Sequence, residues 1–401
     1  MKRLLIFLLV LACLPGLYGC EEVEKAVPSP LSWADIDAIP VASADMTEEQ
    51  LRQIVLDFFR LQLTFQWTPQ EDFDYTIVCY DELRNMKAGT VYAGLPYQGN
   101  AGNGNLYIAM EYYDPETGRL DNADRNWQAL TVRLGNQCFS GPAWAWSRVV
   151  NSNKTYAAYD STHKNGYLIV GDYEYQAARW SETTTFTRDV CKENGEQRMF
   201  ESYALVKPAD GLNRRCEASH TRMVSSYPVV VRNEDGTING DESYVLYMDQ
   251  ASSWKAYTTE DGTNVLIQGN IDKKTTFTEL YHKYYIPFTF GELIGTEPVE
   301  PAQVTLELPE QATISALATG VITTNYPIAY VRATVMDDSG NVLYSVTEPT
   351  TITDDREMFL GKVLDFAEIG SLTEDAPLQL TVQVRVSTGQ LLTAYTGTLV
   401  P

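Results

Sequence analysis

Residues 135–150 read GNQCFSGPAWAWSRVV, and this stretch decides how the first two-thirds of the chain is expected to fold. Pro142 fits a helix only in its first turn, where its missing N–H is not needed. The spacing therefore predicts a helix starting near Ser140 or Gly141 and continuing through Ala143, Trp144, Ala145, Trp146, Val149 and Val150. Cys138 then stands immediately before a helix N-terminus. Unpaired backbone N–H groups at such a place favour a thiolate and can donate to a tetrahedral oxyanion. A cysteine nucleophile wants that position. The competing reading is a buried cysteine packed beside two tryptophans.

A thiol nucleophile needs a base, and the chain has 3 histidines. His163 lies in the loop-like DSTHKNG, and His282 in the aromatic ELYHKYY. His220 opens HTRMV, a strand pattern preceded by the turn-prone ADGLNRRCEAS, so a strand end would hold it facing a cleft. NEDG at 233–236 marks a hairpin turn. Strands folding back around it pair positions whose numbers add to about 470, which brings Asp249, Gln250 and Ala251 opposite His220. Either Asp249 or Gln250 can accept from an imidazole N–H, but strand alternation lets only one point at it. Asp249 is preferred because a carboxylate also stabilises the imidazolium.

These residues resemble the NlpC/P60 superfamily of papain-like cysteine peptidases and amidases. That family carries a G-x-P-Y element upstream of its nucleophile, and residues 94–97 are GLPY. A cysteine followed by small residues begins its helix, as CFSG does at 138–141. It has a P-G-D turn ahead of its histidine, where this chain has KPAD at 207–210. Its histidine opens a strand, as His220 does in HTRMV. Gln137, Phe139 and Ala209 depart from the family's usual residues, and the cysteine-to-histidine distance implies an insertion around 160–200. The resemblance implies Cys138 as nucleophile, His220 as base, Asp249 or Gln250 as the orienting group and Tyr97 beside the oxyanion. It also implies a murein stem peptide as substrate, cut at a bond such as γ-D-glutamyl to a diamino acid. The alternative is a non-catalytic envelope protein that binds glycan or peptide in the same cleft.

The chain's start fixes where such chemistry would act. Lys2 and Arg3 precede the apolar LLIFLLVLACLPGL, which is too short to span a bilayer stably. The segment ends LYGC and resembles a bacterial lipobox. That implies removal of residues 1–19 and lipid attachment at Cys20, hence a cell-envelope protein held to a membrane through lipid alone. Residues 20–45, acidic and rich in Pro, Ala and Ser, are expected to be a tether. The formal net charge of -23 disfavours nucleic acid as a partner.

The fold class expected is α+β, with a papain-like domain over 46–295 and a separate all-β sandwich over 296–401. Thr47 and Gln50 form a capping-box pattern before Leu51, Ile54, Phe58, Leu61 and Phe65, an amphipathic helix. Strand-like runs follow at 167–170, 201–206, 221–224, 228–231 and 244–248. After TEPVEPA the pattern alternates with almost no helix signal, and this region is expected to be a separable module contacting a protein, a glycan or the wall. No cofactor or metal is called for, since no two histidines have ligand spacing. Cys191 and Cys216 look loop-borne. They are either free or joined in a bridge ahead of His220, whereas Cys79 reads as a small buried hydrophobe.

Overall fold

The computed structural model describes residues 31–77, 82–97, 106–114, 116–120, 135–151, 168–174, 187–216, 219–258, 262–350, 356–372 and 377–400. Cys20, Cys79 and His163 lie outside them. Among the described residues, the helices of the first region are α1 (Trp33–Asp37), α2 (Glu48–Thr64), α3 (Leu106–Met110), α4 (Ser140–Trp146), α5 (Thr187–Asn194), α6 (Glu196–Tyr203) and α7 (Phe277–His282). Its strands are β1 (Gln66–Pro69), β2 (Phe73–Ile77), β3 (Glu82–Met86), β4 (Val91–Ala93), β5 (Tyr113–Asp114) and β6 (Arg119–Leu120). They continue with β7 (Leu168–Ile169), β8 (Gly211–Arg214), β9 (His220–Val224), β10 (Tyr244–Thr258), β11 (Asn264–Thr276) and β12 (Ile286–Thr289). β2 pairs with β3, and the other ten form one sheet in the order β5-β6-β1-β4-β11-β10-β9-β8-β12-β7. The central run β11-β10-β9-β8 is antiparallel throughout.

Helix α2 starts as its sequence predicts: the Thr47 side chain accepts from the Gln50 N–H while the Gln50 side chain accepts from the Thr47 N–H. Its buried face is Leu51, Ile54, Val55, Phe58, Phe59 and Leu63. That face meets α4, all seven of whose residues are buried, and α4 in turn packs on β9 and β10. Two backbone positions make this close packing possible. Gly94 has φ +70°, and a Cβ there would stand 2.5 Å from the Leu63 carbonyl oxygen, so only glycine lets residues 94–97 pass the end of α2. Ala209, at φ 70°, holds the left-handed turn that leads into β8, and its carbonyl accepts from Trp146 Nε1 at 2.7 Å.

The C-terminal region is distinct and β-rich. It comprises β13 (Val304–Leu306), β14 (Gln311–Thr313), α8 (Ile314–Thr319), β15 (Val321–Thr324), β16 (Ile328–Met336), β17 (Val342–Pro349), β18 (Glu357–Phe359), α9 (Phe366–Leu372), β19 (Leu378–Val386) and β20 (Leu391–Val400). One sheet runs β14-β20-β19-β16-β17 and the other β13-β15-β18. Ile322, Met358, Val331 and Val382 join both sheets in one core.

Several expectations are corrected. Residues 201–206 are not a strand: α6 ends at Tyr203, and Met199, Phe200 and Tyr203 bury a helical face. Residues 228–231 make an isolated bridge at Val229 and leave Val229 and Val230 exposed. The tether cannot extend to residue 45, because Ser32 caps α1, Leu31 and Ile36 are buried, and the Leu31 N–H donates to the Tyr113 hydroxyl. The C-terminal region also shares core with the first, since Ala329 and Tyr330 of β16 belong to the same cluster as Phe58 and Trp144. Cys191 sits within α5 rather than in a loop, and Cys138, Cys191 and Cys216 are buried, with no disulfide joining any two of them.

Candidate active site

Cys138 occupies the turn before α4, with Phe139 at the cap position, and is 6% exposed. The helix therefore starts at Ser140, with Pro142 in its first turn as its missing N–H requires. The preceding residue but one, Asn136, pairs with Tyr97 in a parallel bridge, and its N–H donates to the Pro96 carbonyl at 2.9 Å. The GLPY backbone is thus bonded to the segment that carries the thiol. Asn136 Oδ1 also accepts from Ser140 Oγ at 3.3 Å, and Ser140 Oγ accepts from the Gln137 N–H at 2.9 Å. The turn holding Cys138 is tied at both ends.

His220 stands at the first position of β9, with its side chain 22% exposed. The observed pairs Tyr247 with Val224 and Met248 with Met223 each add to 471, so the expected register holds. In that register Asp249 lies across from Arg222, diagonal to His220 on the same sheet face. His220 Nε2 is 2.8 Å from Asp249 Oδ2; the buried carboxylate can only accept, so Nε2–H donates. The Cys138 side chain is close enough to act on the same ring and raises its pKa alongside Asp249.

Burial alone would lower the His220 pKa. The hydrogen bond and charge of Asp249, followed by those of Cys138, outweigh it and raise the imidazole to about 9. Burial alone would raise Asp249, but the His220 bond and charge, then Arg222 and Asn270, hold it below the ordinary carboxylate range. The pair is therefore arranged as imidazolium and carboxylate at neutral pH.

Gln250 does not orient the histidine. It points the other way, as alternation requires, and its Nε2 donates to the carbonyls of Leu95 at 2.7 Å and Gln268 at 3.0 Å. Gln268 in turn accepts from the Tyr97 N–H at 2.7 Å and donates to the Ser252 carbonyl at 2.8 Å. These two amides bind the GLPY segment to β10 and β11. Tyr97 itself is buried, and its backbone borders the turn that carries Cys138. His282 is on the surface of α7, 62% exposed.

Two participants were missed in the sequence. Asn270 Nδ2 donates to Asp249 Oδ1 at 2.6 Å. Arg222, buried, lies between the rings of Tyr247 at 4.0 Å and Tyr285 at 4.4 Å, with Nε 3.7 Å from Asp249 Oδ2. The sequence carried no signal for Asn270: hairpin arithmetic about the Asp-Gly pair at 261–262 places residue 273 or 274 opposite Asp249, and it is the register shift between Gln250 and Lys255 that brings Asn270 there. Comparison with family models, with curated proteins and with solved structures finds no match to this chain.

Proposed function

We propose that this chain is a papain-like cysteine peptidase or amidase, directed at the peptides of the bacterial cell wall from a lipid-anchored position at Cys20. One observation carries the reading: the imidazole that bonds the buried carboxylate of Asp249 also lies close enough to Cys138 to have its pKa raised by that side chain. Cys138 Sγ attacks the scissile carbonyl carbon, with the Cys138 backbone N–H donating to the oxyanion. The His220 imidazolium gives its proton to the leaving amine, and the neutral ring then takes one from the water that hydrolyses the thioester. Asp249 keeps the ring in place and its charge compensated through both steps.

Further support comes from the elements that resemble the NlpC/P60 pattern. Gly94 and Ala209, at the glycine positions of those motifs, both have positive φ; the Pro96 carbonyl bonds Asn136 just before α4, and the Ala209 carbonyl bonds Trp146 at its last residue. The substrate class rests on that resemblance, so it is tested directly. Muropeptides and ordinary L-peptides are incubated side by side with wild type, Cys138→Ala and His220→Ala, and products are read by mass spectrometry. New amines and carboxyls from muropeptides with wild type alone are expected. Equal product from Cys138→Ala removes the nucleophile, and cleavage of L-peptides only removes the wall substrate. The low exposure of Cys138 favours one second reading, a non-catalytic glycan- or peptide-binding cleft. In that case Cys138 alkylates no faster in the native chain than other buried thiols.

A further inference from the structure

On the reading of Cys138, His220 and Asp249 as the reacting centre, we infer that Asn270 is its fourth member, a positioning residue that fixes the Asp249 carboxylate and is itself fixed by Lys255. The geometry is a chain of bonds along one sheet face. Lys255 Nζ donates to Asn270 Oδ1, Asn270 Nδ2 donates to Asp249 Oδ1 at 2.6 Å, and Asp249 Oδ2 accepts from His220 Nε2 at 2.8 Å. The amide has only one orientation here. An ammonium can only donate and a carboxylate can only accept, so the oxygen must face Lys255 and the nitrogen Asp249. With one carboxylate oxygen tied to Asn270, the other is aimed at His220.

The strands explain why this residue is available. β10 and β11 pair Asp249 with Asn270, and register irregularities flank the pair, between Tyr247 and Asp249 and between Gln250 and Lys255. The second bulges out residues 251–254, opposite Gln268, which lets Lys255 reach back to Asn270. Bulges of this kind re-aim side chains beside active sites. Lys255 meets a like charge in Lys273, so burial first and then Lys273 lower its pKa, and its nearest compensation is the Asn270–Asp249 unit. Arg222, facing Asp249 from β9, contributes charge at 3.7 Å but no hydrogen bond.

Two variants of the full chain test this. Asn270→Ala removes the donor. The His220 resonance, assigned among the 3 histidines with His220→Gln, should then titrate a unit or more below its wild-type value by NMR. Asn270→Asp preserves shape but sets two carboxyls together, so that one of them keeps its proton to a much higher pH than an ordinary carboxyl. A shared proton mimics the lost donor at low pH. As pH rises and that proton leaves, the Cys138 alkylation rate should fall at least 10-fold relative to wild type, an inflection the wild-type profile lacks. An unshifted His220 in Asn270→Ala, or an Asn270→Asp profile that overlays wild type, overturns the inference. The enzyme reading fails separately, when wild-type Cys138 itself alkylates no faster than Cys191.

Discussion

Replacing Asp249 by Asn changes one charge and almost no volume, which makes it the sharpest probe of the His220–Asp249 pair. His220 is raised from an ordinary 6.5 to about 9 by Asp249 and then Cys138, acting against burial. A group raised in the folded state adds stability that is fully present below its unfolded pKa. That stability is lost as pH rises through the folded value. The window is therefore pH 6.5 to about 9, and a shift of that size corresponds to about 3 kcal/mol. This is a ceiling, because 22% of the side chain meets solvent and Cys138 supplies part of the shift. The expected loss tied to Asp249 is about 2 kcal/mol. Urea unfolding of wild type and Asp249→Asn at half-unit steps from pH 6 to 10 reads it. All other titrations common to the two chains cancel in the difference curve, and so does any constant offset from burying an amide instead of a carboxylate. The wild-type advantage should shrink by about 2 kcal/mol across the window. Two parallel curves would mean that the carboxylate is not coupled to a charged His220, and the geometry of the site would lose its electrostatic meaning.

Other outcomes follow from single contacts. Gly94→Ala should cost 2 kcal/mol or more in chemical denaturation, roughly, because a Cβ meets the Leu63 carbonyl at 2.5 Å in a left-handed conformation. Ala209→Gly should stay within about 1 kcal/mol of wild type, since relief at φ 70° offsets the lost methyl, whereas Ala209→Val should cost clearly more. Under native conditions iodoacetamide should modify Cys138 well before Cys191, whose burial pushes its thiol up to about 12; peptide mapping gives the order. Ending the chain at residue 295 should lower the melting temperature or render the protein insoluble. An unchanged melting curve for the remainder would show that the contacts of Tyr330 are energetically idle.

The site was legible where a local rule had one answer. Pro142 admits only a first helical turn, so Cys138 had to precede it. The turn at 233–236 narrowed the partner of His220 to Asp249 or Gln250, alternation allowed only one of them, and carboxylate chemistry preferred Asp249; the two adjacent side chains do opposite jobs. Illegible features depended on partners far away in the chain. Residues 31–36 look like a linker until Tyr113, 82 positions later, takes the Leu31 N–H. Residues 201–206 have strand-like composition, but Met199 and Phe200 set a helical period just before them, and β12 supplies the surface that α6 covers. In β16 the signal was present and passed over. Ile328, Ala329, Tyr330 and Val331 are consecutive and all buried, without alternation. A strand reading apolar at every position is covered on both faces. One face here belongs to its own sheets and the other to the first region.

That second buried face gives the C-terminal region a mechanical relation to Cys138. Helix α4 has seven residues, about 10 Å of rise, with Cys138 before its first turn. A helix this short leaves its final carbonyls without intrahelical donors. Those of the segment after α4 are met largely from the C-terminal region. Ser387 Oγ donates to the Ser147 carbonyl at 2.8 Å, the Tyr326 hydroxyl to Val149 at 3.3 Å, and Arg356 to Asn151. Tyr107 of α3 donates to the Ser387 carbonyl at 3.2 Å, and Arg332 of β16 holds both carboxylate oxygens of Glu111 at 2.7 Å. The segment that follows the helix is thus anchored to the C-terminal region, while Asn136, Ser140, the GLPY backbone and the Trp146–Ala209 bond anchor the helix itself to the first. Displacing either anchor shifts the sulfur along a rod too short to absorb the motion by bending. A 1 Å displacement is enough to cost a reacting group about 100-fold in rate. The C-terminal region therefore belongs to the support of the candidate active site as well as to any surface it presents.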